Sequence, residues 1–416
     1  MRTASVFQRL LGVEHTTVVS VELVTEVGGE EVLVASVRPH QRFRSRCSRC
    51  QRRCPGYDAG EGRRRWRSLD LGTTRTFLEA DAPRVACPEH GVVVAGVPWA
   101  RPGARVTRAF EDTCAWLAAH AAFSVLAALM RISWRTVAGI VARVVADLAG
   151  RQDRLDGLRR IGIDEISHRR GHRYLTCVVD QDSGRLVWAG AGRDTATLLR
   201  FFDALGEERS AALTHVSADG AEWIHAAVAE RAPQAVLGLD PFHVVSWATE
   251  ALDEVRRGLG NDLRRDGKPD QAAELKGTRW ALIKNPEDLT CEQRTSLAQI
   301  AATNHGLYRA YLLKEQLRAV FKTKGRQGRR LLAGWLAWAK RSQLPGFIKL
   351  AKTIEHYKKL IHNTLDHGLS NARSEATNTH LRVLTRRAYG FHIPEALIAM
   401  AMLTRGGLCP PLPGRP

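Results

Sequence analysis

Two aspartates stand at positions where a sheet would bring carboxylates together. Asp164 lies inside an apolar run at 160–166, and Asp219 lies just past another run at 213–217. A lone surface aspartate would mean little, but both runs read as buried strands. Two converging carboxylates and a third from a later helix would bind a pair of Mg²⁺ ions, which activate a water or a 3′-hydroxyl and stabilise the leaving oxygen at phosphorus. The pattern therefore predicts metal-dependent chemistry at a phosphodiester.

The third carboxylate is expected on a helix near the end of the chain. At about 100° per residue, a helix over 371–384 carries a polar stripe within about 40° of one line. The members of that stripe are Asn371, Glu375, Asn378 and Arg382. The solvent-facing side of any amphipathic helix has the same spacing, and Glu355 and Asp366 are rival acids. Glu375 is favoured as the third ligand because it is the only acid on the stripe.

Four cysteine and histidine residues have the spacing of a zinc knuckle. Cys47 and Cys50 form a CxxC, and Cys87 and His90 form a CxxH farther along the chain. Structural zinc takes four such ligands in a tetrahedron. Cys54 is an alternative to His90, but the pairing of His90 with Cys87 favours the histidine. We predict one structural Zn²⁺ at these four residues.

A dense basic segment surrounds the first cysteine pair. Residues 38–67 hold eleven arginines against two acids. A knuckle pinned by metal would present such side chains to phosphates. The arginines predicted to contact DNA are Arg49, Arg52, Arg53, Arg63, Arg64 and Arg65.

A helix-turn-helix is predicted downstream of that segment. Residues 123–130 read as a short helix, 131–133 as a turn, and 134–145 as a second helix capped by Ser133. An ordinary helical hairpin has the same pattern, but the neighbouring basic segment favours the DNA-binding interpretation. The residues expected to pack inward are Ile132, Val137, Ile140 and Val141, and those expected to face the DNA groove are Trp134, Arg135 and Arg143.

The aspartates require a sheet whose first and fourth strands are neighbours. From 160 to 190 the chain reads as a three-strand meander, and helices at 196–205 and 221–231 then alternate with strands at 213–217 and 235–239. This βββαβαβ order is that of an α/β ribonuclease H-like fold. From 244 to about 361 the pattern is helical only, which indicates an all-α insertion.

The chain accordingly divides into a small zinc-binding β module, a helix-turn-helix domain and a core that an insertion interrupts. These changes of pattern predict the domain boundaries. The predicted segments are the zinc-binding module at 1–106, the helix-turn-helix domain at 107–158, the first part of the core at 159–245, the insertion at 246–365, the last helix and C-terminal part of the core at 366–408, and a tail at 409–416.

Composition fits a globular protein with a polyanionic partner. Among 416 residues, Lys and Arg total 62 against 43 Asp and Glu, and 44% of residues are hydrophobic. The excess of positive charge favours nucleic acid as the partner, and the hydrophobic content excludes wholesale disorder. No apolar run approaches the roughly 18 to 20 residues that cross a bilayer, and the N-terminus lacks a signal-peptide core. We therefore expect a cytoplasmic protein without a membrane partner.

Taken in order, these motifs resemble the transposases of bacterial insertion sequences in the ISL3 group. The resemblance covers nearly the whole chain, including the zinc knuckle and the helix-turn-helix. One departure is that the second knuckle pair, usually two cysteines, is Cys87 and His90 here. The matching segments are 162–165, 179–180, 192–193, 217–220, 239–245, 370–378 and 386–391.

The resemblance implies a DDE transposase with a ribonuclease H-like core. Such an enzyme uses two Mg²⁺ ions, or Mn²⁺, to cut double-stranded DNA at terminal inverted repeats and to join the 3′ ends to a target. Asp164, Asp219 and Glu375 would be the catalytic, metal-binding triad. Asp240 and His243 match a DxxH signature that supports the site without supplying primary metal ligands. Asn371 and Asn378 flank Glu375 as further supporting residues.

Two other functions share these features. A domesticated or inactive transposase would act as a DNA-binding regulator, and a metal-dependent nuclease would cut without joining. Acids at all three triad positions argue against decay, and two N-terminal DNA-reading modules argue against a simple nuclease. A homodimer or higher synaptic assembly is expected because two element ends must be paired before joining.

Overall fold

The computed structural model describes residues 3–169, 171, 173–388, 390–391 and 393–415. Tyr389, within the 386–391 motif, lies outside the described residues. The chain divides into two compact units, one of residues 1–152 with 407–416 and one of residues 153–406. The segment 409–416, predicted as a separate tail, thus groups with the N-terminal unit.

The N-terminal unit combines two small sheets with several helices. Its elements are α1 (Thr3–Leu10), β1 (Thr16–Thr25), β2 (Glu31–Pro39), β3 (Gly56–Asp58), β4 (Arg63–Arg67), β5 (Arg75–Asp81), β6 (Arg84–Cys87), β7 (Gly91–Val94), α2 (Arg108–His120), α3 (Phe123–Met130) and α4 (Trp134–Ala149), with a 3-10 turn at Gln41–Phe43. One sheet has the order β1-β2-β5-β4 and the other the order β3-β6-β7. The predicted small β structure is therefore present.

Local signals explain the hairpins of this unit. β1 and β2 pair in antiparallel fashion, and Gly28 and Gly29 turn between them with φ angles of 119° and 83°. β6 and β7 form a second antiparallel hairpin, which holds Cys87 at its turn. Cys47 pairs with Ala95, just beyond β7, through an isolated bridge. The backbone thus brings the two predicted knuckles to the same small sheet.

The predicted helix-turn-helix is formed by α3 and α4. Arg131 ends α3 in the left-handed conformation, and Ser133 caps α4 by accepting a hydrogen bond from the backbone of Thr136 at 3.1 Å. The two helices are bent by 98° from one another, within the range of this motif. Val137, Ile140 and Val141 are buried, as predicted, while Ile132 is half-buried. In the described part of the chain, no single helix is long and apolar enough to span a membrane; only α3 and α4 taken together pass that test.

The second unit contains one sheet and many helices. Its elements are β8 (Arg160–Arg169), β9 (Arg173–Asp180), β10 (Leu186–Ala191), α5 (Thr195–Leu205), α6 (Glu207–Ala211), β11 (His215–Ala218), α7 (Glu222–Arg231), β12 (Val236–Leu239), α8 (Pro241–Arg265), α9 (Pro269–Gly277), α10 (Arg279–Ile283), α11 (Cys291–Thr303), α12 (His305–Lys322), α13 (Gly325–Lys340), α14 (Pro345–His356), α15 (Lys358–His367), α16 (Ala372–Arg387) and α17 (Pro394–Arg405), with a 3-10 turn at Pro286–Asp288. The sheet order is β10-β9-β8-β11-β12. All the strands and helices predicted between 160 and 239 are present, and only α6 was not predicted.

The sheet places the first and fourth strands side by side. β8 pairs antiparallel with β9 and parallel with β11, and β11 pairs parallel with β12. Apolar residues of β8 such as Ile161 and Ile163 pack in one core with Phe201 of α5 and Val228 of α7. This core covers one face of the sheet, while α16 packs on β8 and β9. Asp164 and Asp219 each lie two residues beyond the last residues that pair these neighbouring strands, Gly162 of β8 and Ser217 of β11.

The segment after β12 is helical, as predicted for the insertion. Between 244 and 361, where every residue is described, the chain forms helices and no strand. Trp335 is fully buried at the centre of this part and donates from Nε1 to the carbonyl oxygen of Leu313 at 2.8 Å. The apolar core of this part also includes Leu239 of β12, so the helices are packed onto the edge of the sheet.

Candidate active site and zinc site

Helix α16 lies directly against strand β8, and Gly162 makes this approach possible. A Cβ atom at Gly162 would stand 2.4 Å from Ser374 Oγ and 2.7 Å from Asn371 Oδ1. Asn371 also donates from Nδ2 to the carbonyl oxygen of Ile163 at 2.9 Å. Glycine at this position therefore sets how closely the polar stripe of α16 approaches the strand that carries Asp164.

The Asp164 carboxylate is held from two sides. Asn378 Nδ2 donates to Asp164 Oδ2 at 2.8 Å, and the backbone N–H of Glu165 donates to Oδ1 at 2.7 Å. Burial nevertheless raises the pKa of Asp164 to about 6, and the negative charges of Asp219 and Asp240 add to the rise. Burial and the nearby negative charges thus disfavour the ionised form of Asp164, and a bound cation would stabilise that form.

Asp219 directly follows β11, the strand beside β8. Its Oδ1 accepts a hydrogen bond from the backbone N–H of Ala221 at 3.0 Å. The helical insertion reaches the same loop, because the Tyr357 hydroxyl donates to the carbonyl oxygen of Gly220 at 3.0 Å. A Cβ atom on Gly220 would also stand 3.1 Å from the Trp247 ring. The loop that carries the second aspartate is thus fixed by side chains of the insertion.

Asp240 and His243 belong to the same cluster. Asp240 is 3% exposed, and its Oδ1 accepts a hydrogen bond from the backbone N–H of Asn371 at 3.0 Å. Burial raises the pKa of Asp240. His243, in the first turn of α8, lies close enough for its charge to oppose the effect of burial on the pKa of both Asp164 and Asp240. Both residues of the DxxH signature therefore lie within electrostatic range of the first aspartate.

Glu375 lies at the edge of the α16 face that contacts the sheet. It is half-buried, whereas Asn371 and Asn378 are buried on that face and Arg382 is exposed. Among the residues that the structure describes, the three predicted carboxylates do not form one compact set of ligand atoms. The structure thus gathers the two aspartates and leaves Glu375 on the helix that packs against β8.

The two rival acids are engaged elsewhere. Glu355 Oε1 lies 2.5 Å from Lys340 Nζ, and Asp366 Oδ2 lies 3.2 Å from Arg329 Nη1. The first pair joins α13 to α14, and the second joins α13 to α15. Glu375, by contrast, lies on α16, the helix that packs against β8.

Two charged residues beside the cluster were not among the predicted site residues. Glu165 is 8% exposed at its side chain, and its Oε2 lies 2.5 Å from Arg193 Nε. Burial, followed by the charge of Asp219, raises the pKa of Glu165. The sequence does point to each residue separately, because Glu165 is adjacent to Asp164 and Arg193 belongs to one of the family motifs. Their ion pair could not be predicted, because no sequence spacing or periodicity links the two residues.

The four predicted zinc-binding side chains converge within the N-terminal unit. Their ligand atoms all lie within 4.8 Å of one another. Cys50 Sγ lies 3.7 Å from Cys87 Sγ, and His90 Nδ1 lies 3.6 Å from Cys87 Sγ and 3.7 Å from Cys47 Sγ. A tetrahedral site with Zn–S bonds of about 2.3 Å requires sulfur atoms about 3.8 Å apart. The geometry fits zinc.

Cys54 stands next to this set but outside it. It is buried, and its thiol contacts the carbonyl oxygen of Arg52 at 3.3 Å. The outer nitrogen of His90, Nε2, lies 3.7 Å from the Glu89 carboxylate, which suits a histidine that uses Nδ1 as the ligand atom. Burial raises the pKa of the Cys87 thiol, but hydrogen bonds from the His90 side chain and from the backbone outweigh burial and lower this pKa to about 6. The lowered pKa favours the thiolate that a metal requires.

The predicted DNA-contacting arginines fall into two groups. Arg49, Arg52 and Arg53 are exposed on the zinc-binding segment and have no acidic partner among the described residues. Arg63 and Arg65 on β4 both pair with Glu79 of β5, at 3.2 and 2.9 Å. Arg64, between them, donates to the carbonyl oxygen of Ala104 at 3.2 Å and lies over the Trp66 ring. The first group is therefore more available for phosphates.

The helix-turn-helix presents two of its three predicted DNA-facing residues to solvent. Trp134 is 54% exposed at the start of α4, and the Arg135 guanidinium lies over its ring at 5.7 Å. Arg143 instead lies 2.5 Å from the buried carboxylate of Glu111 on α2. Arg143 thus joins α4 to α2 in this structure.

Three family models match successive parts of the chain. A model described as transposase, of the DDE type in the ISL3 group, matches residues 161–401. A helix-turn-helix domain of transposase family ISL3 matches residues 97–145. A zinc finger of the transposases IS204, IS1001, IS1096 and IS1165 matches residues 44–90.

Individual relatives agree with these models. The chain is 53% identical to the transposase for insertion sequence element IS1557 of Mycobacterium tuberculosis, over 100% of this chain and 98% of that protein. It is 27% identical to the transposase for IS1001 of Bordetella parapertussis, over 84% of this chain and 86% of that protein. The chain therefore belongs to the ISL3 family of insertion-sequence transposases and is a DDE-type transposase with a DNA-binding helix-turn-helix.

Proposed function

We propose that this transposase binds the terminal inverted repeats of its element, hydrolyses a phosphodiester at each end and joins the 3′-hydroxyls to target DNA. The observation that carries the proposal is the acidic cluster of Asp164, Asp219 and Asp240, in which Asp164 and Asp219 each lie two residues beyond the last residues that pair β8 with β11, Gly162 and Ser217. The ribonuclease H-like assignment of the core rests on a sheet order of third, second, first, fourth and fifth strand, in which only the second strand runs antiparallel to the others.

We assign the metal-binding triad to Asp164, Asp219 and Glu375. The first two fit a divalent cation because both are carboxylates at matching positions on neighbouring strands, each two residues beyond the Gly162–Ser217 pair, and because Asp164 is desolvated. Glu375 is assigned as the third ligand because it lies on the helix that contacts β8 and its rivals are ion-paired. Two Mg²⁺ ions, or Mn²⁺, would activate the attacking oxygen and stabilise the leaving one.

The surrounding residues have positioning roles. Asn378 orients the Asp164 carboxylate through its 2.8 Å hydrogen bond. Asp240 accepts from the backbone of Asn371 and so fixes the first turn of α16, four residues before Glu375. His243, in the first turn of α8, supports the acidic cluster without supplying a primary metal ligand. These contacts keep the carboxylates in place before DNA arrives.

In the N-terminal unit, we propose that zinc at Cys47, Cys50, Cys87 and His90 stabilises the ribbon. Arg49, Arg52 and Arg53 then contact phosphates, and Trp134 and Arg135 approach the DNA groove. We expect Arg63, Arg64 and Arg65 to contribute to the positive electrostatic potential near the DNA more than to direct contacts with its phosphates. Arg143 acts through α2. Since two ends must be paired, the active form is a homodimer or a larger synaptic assembly, and it works in the cytoplasm, where chromosomal DNA lies.

A joining assay tests this function against its two alternatives. The full-length protein is incubated with Mg²⁺, a target plasmid and linear DNA that carries the element ends. Joined products support transposition, cleavage without joining indicates a nuclease, and binding without cleavage indicates a regulator. Asp164→Asn serves as the control that keeps DNA binding and loses both products.

A further inference from the structure

Arg193 occupies a position that the chain fixes from both sides. It follows β10 and precedes α5, whose first turn is capped by Asp194 through a 2.7 Å hydrogen bond from the backbone of Thr197. Gly192 has a φ of 128°, and a Cβ there would stand 2.1 Å from Thr197 Oγ1. The Gly192 carbonyl also accepts from Thr176 Oγ1 at 2.9 Å. The backbone of Arg193 is therefore placed by a required glycine and a helix cap.

The side chain of Arg193 is oriented as firmly as its backbone. Its Nε lies 2.5 Å from Glu165 Oε2, and its guanidinium stacks over the Tyr174 ring at 4.9 Å from the centroid. The arginine side chain nonetheless remains 46% exposed, whereas that of Glu165 is 8% exposed. An oriented guanidinium on a side chain that is still nearly half exposed can bind a further ligand from solvent.

The surrounding charges indicate what that ligand is. Glu165 and Asp219 both raise the pKa of Arg193, the hydrogen bond to Glu165 being the largest cause, so the cation stands among the carboxylates of the active site. Glu165 Oε1 is buried without a hydrogen-bond partner among the described residues. A DNA strand entering this acidic site meets repulsion, which a fixed cation at its edge would offset.

We propose that Arg193 binds a non-bridging oxygen of a backbone phosphate next to the cleavage site, and that Glu165 positions its guanidinium. Guanidinium groups match phosphate oxygens in a two-pronged geometry and stay charged at all working pH values. The proposal rests on the proposed function, since it places the cut strand beside Asp164 and Asp219. It adds a phosphate-binding residue outside the metal triad.

The test measures the affinity of the full-length protein for element-end DNA in which single phosphates near the cut are replaced by neutral methylphosphonates. The wild type is expected to lose affinity about 10- to 100-fold at one or two positions, by analogy with other charge-assisted hydrogen bonds. Arg193→Gln is expected to lose a similar factor on unmodified DNA and nothing further at those positions. Arg231→Gln, which removes an ion-paired surface arginine of α7, should behave as the wild type.

The proposal would be overturned if methylphosphonates weakened binding by Arg193→Gln by the same factors as they weaken binding by the wild type, at every position tested. A double variant distinguishes phosphate binding by Arg193 from a role in which Arg193 only neutralises the charge of Glu165. If Arg193 only neutralises Glu165, the double change Glu165→Gln with Arg193→Gln restores affinity and cleavage; the proposal expects it to remain as weak as Arg193→Gln. Because affinity is measured without cleavage, a wild type that binds but never cuts would refute the proposed function and still test Arg193.

Discussion

The zinc site and the carboxylate site are assembled in opposite ways. The cysteine and histidine ligands come from two short knuckles on one small sheet, and their ligand atoms already lie within 4.8 Å of one another. The carboxylates come from a strand, a loop and a helix, and the whole insertion separates the helix from the loop. A structural ion site closes on itself, whereas a catalytic site must stay open to its substrate. The comparison teaches that closely spaced ligand atoms mark the structural metal site here, whereas a desolvated carboxylate among like charges marks the proposed catalytic site.

The largest effect is expected at the closed site. Cys87→Ser should lose the zinc and unfold the ribbon, because structural zinc contributes on the order of 10 kcal/mol to such modules. Cys54→Ser should keep the metal, since Cys54 lies outside the ligand set. Metal analysis of both purified variants measures this. Full zinc occupancy in Cys87→Ser, or its loss in Cys54→Ser, would refute this choice of ligands.

At the open site, removal of a charge should disable the enzyme and stabilise the fold. Asp164→Asn should reduce Mg²⁺-dependent cleavage about 1,000-fold or more, because a metal ligand is lost. It should also raise the free energy of unfolding at pH 8 by roughly 1 to 3 kcal/mol, since the pKa of about 6 is higher than that of an unfolded aspartate. The Asn378 amide can turn and accept from the new side chain, because its Oδ1 has no partner among the described residues.

The same substitution should alter the pH dependence of stability. The charged form of Asp164 is disfavoured in the folded state, so the wild type should gain stability as the pH falls from about 7 towards 5. Asp164→Asn should lack that gain. Urea unfolding at pH 8 and pH 5.5, without added Mg²⁺, measures the difference. Equal pH dependence in both proteins would show that Asp164 is not desolvated as described.

The sites also differ in how much the sequence reveals. Ligand spacing predicts the zinc residues because each knuckle is formed by residues close together in sequence. Hydrophobic periodicity and the order of the strands and helices predict β8 to β12 because each element is short and continuous. The ion pair of Arg193 with Glu165 and the contact of Tyr357 with Gly220 depend on packing between distant segments, which no spacing encodes. The cross-strand register that sets Arg65 opposite Glu79 likewise decides which arginines are already paired.

The smallest expected effect distinguishes these paired and unpaired arginines. Arg49→Ala should reduce the slope of log affinity against log salt concentration by about 0.9, the value for one phosphate contact. Arg63→Ala should change the slope less, because Glu79 already neutralises that arginine. Titrations of element-end DNA at several salt concentrations provide the slopes. A larger change in Arg63→Ala would reverse the assignment of the contacting group.

The central claim is that Glu375 completes the catalytic triad with Asp164 and Asp219. The most direct measurement is the yield of joined DNA from Glu375→Gln, beside Glu355→Gln and Asp366→Asn as matched controls. The account predicts that Glu375→Gln binds element ends normally and yields no joined or cleaved product, as Asp164→Asn does, while both controls remain active. The account would be contradicted if Glu375→Gln yielded joined DNA at the level of the wild type. It would also be contradicted if either control variant, Glu355→Gln or Asp366→Asn, yielded no joined DNA.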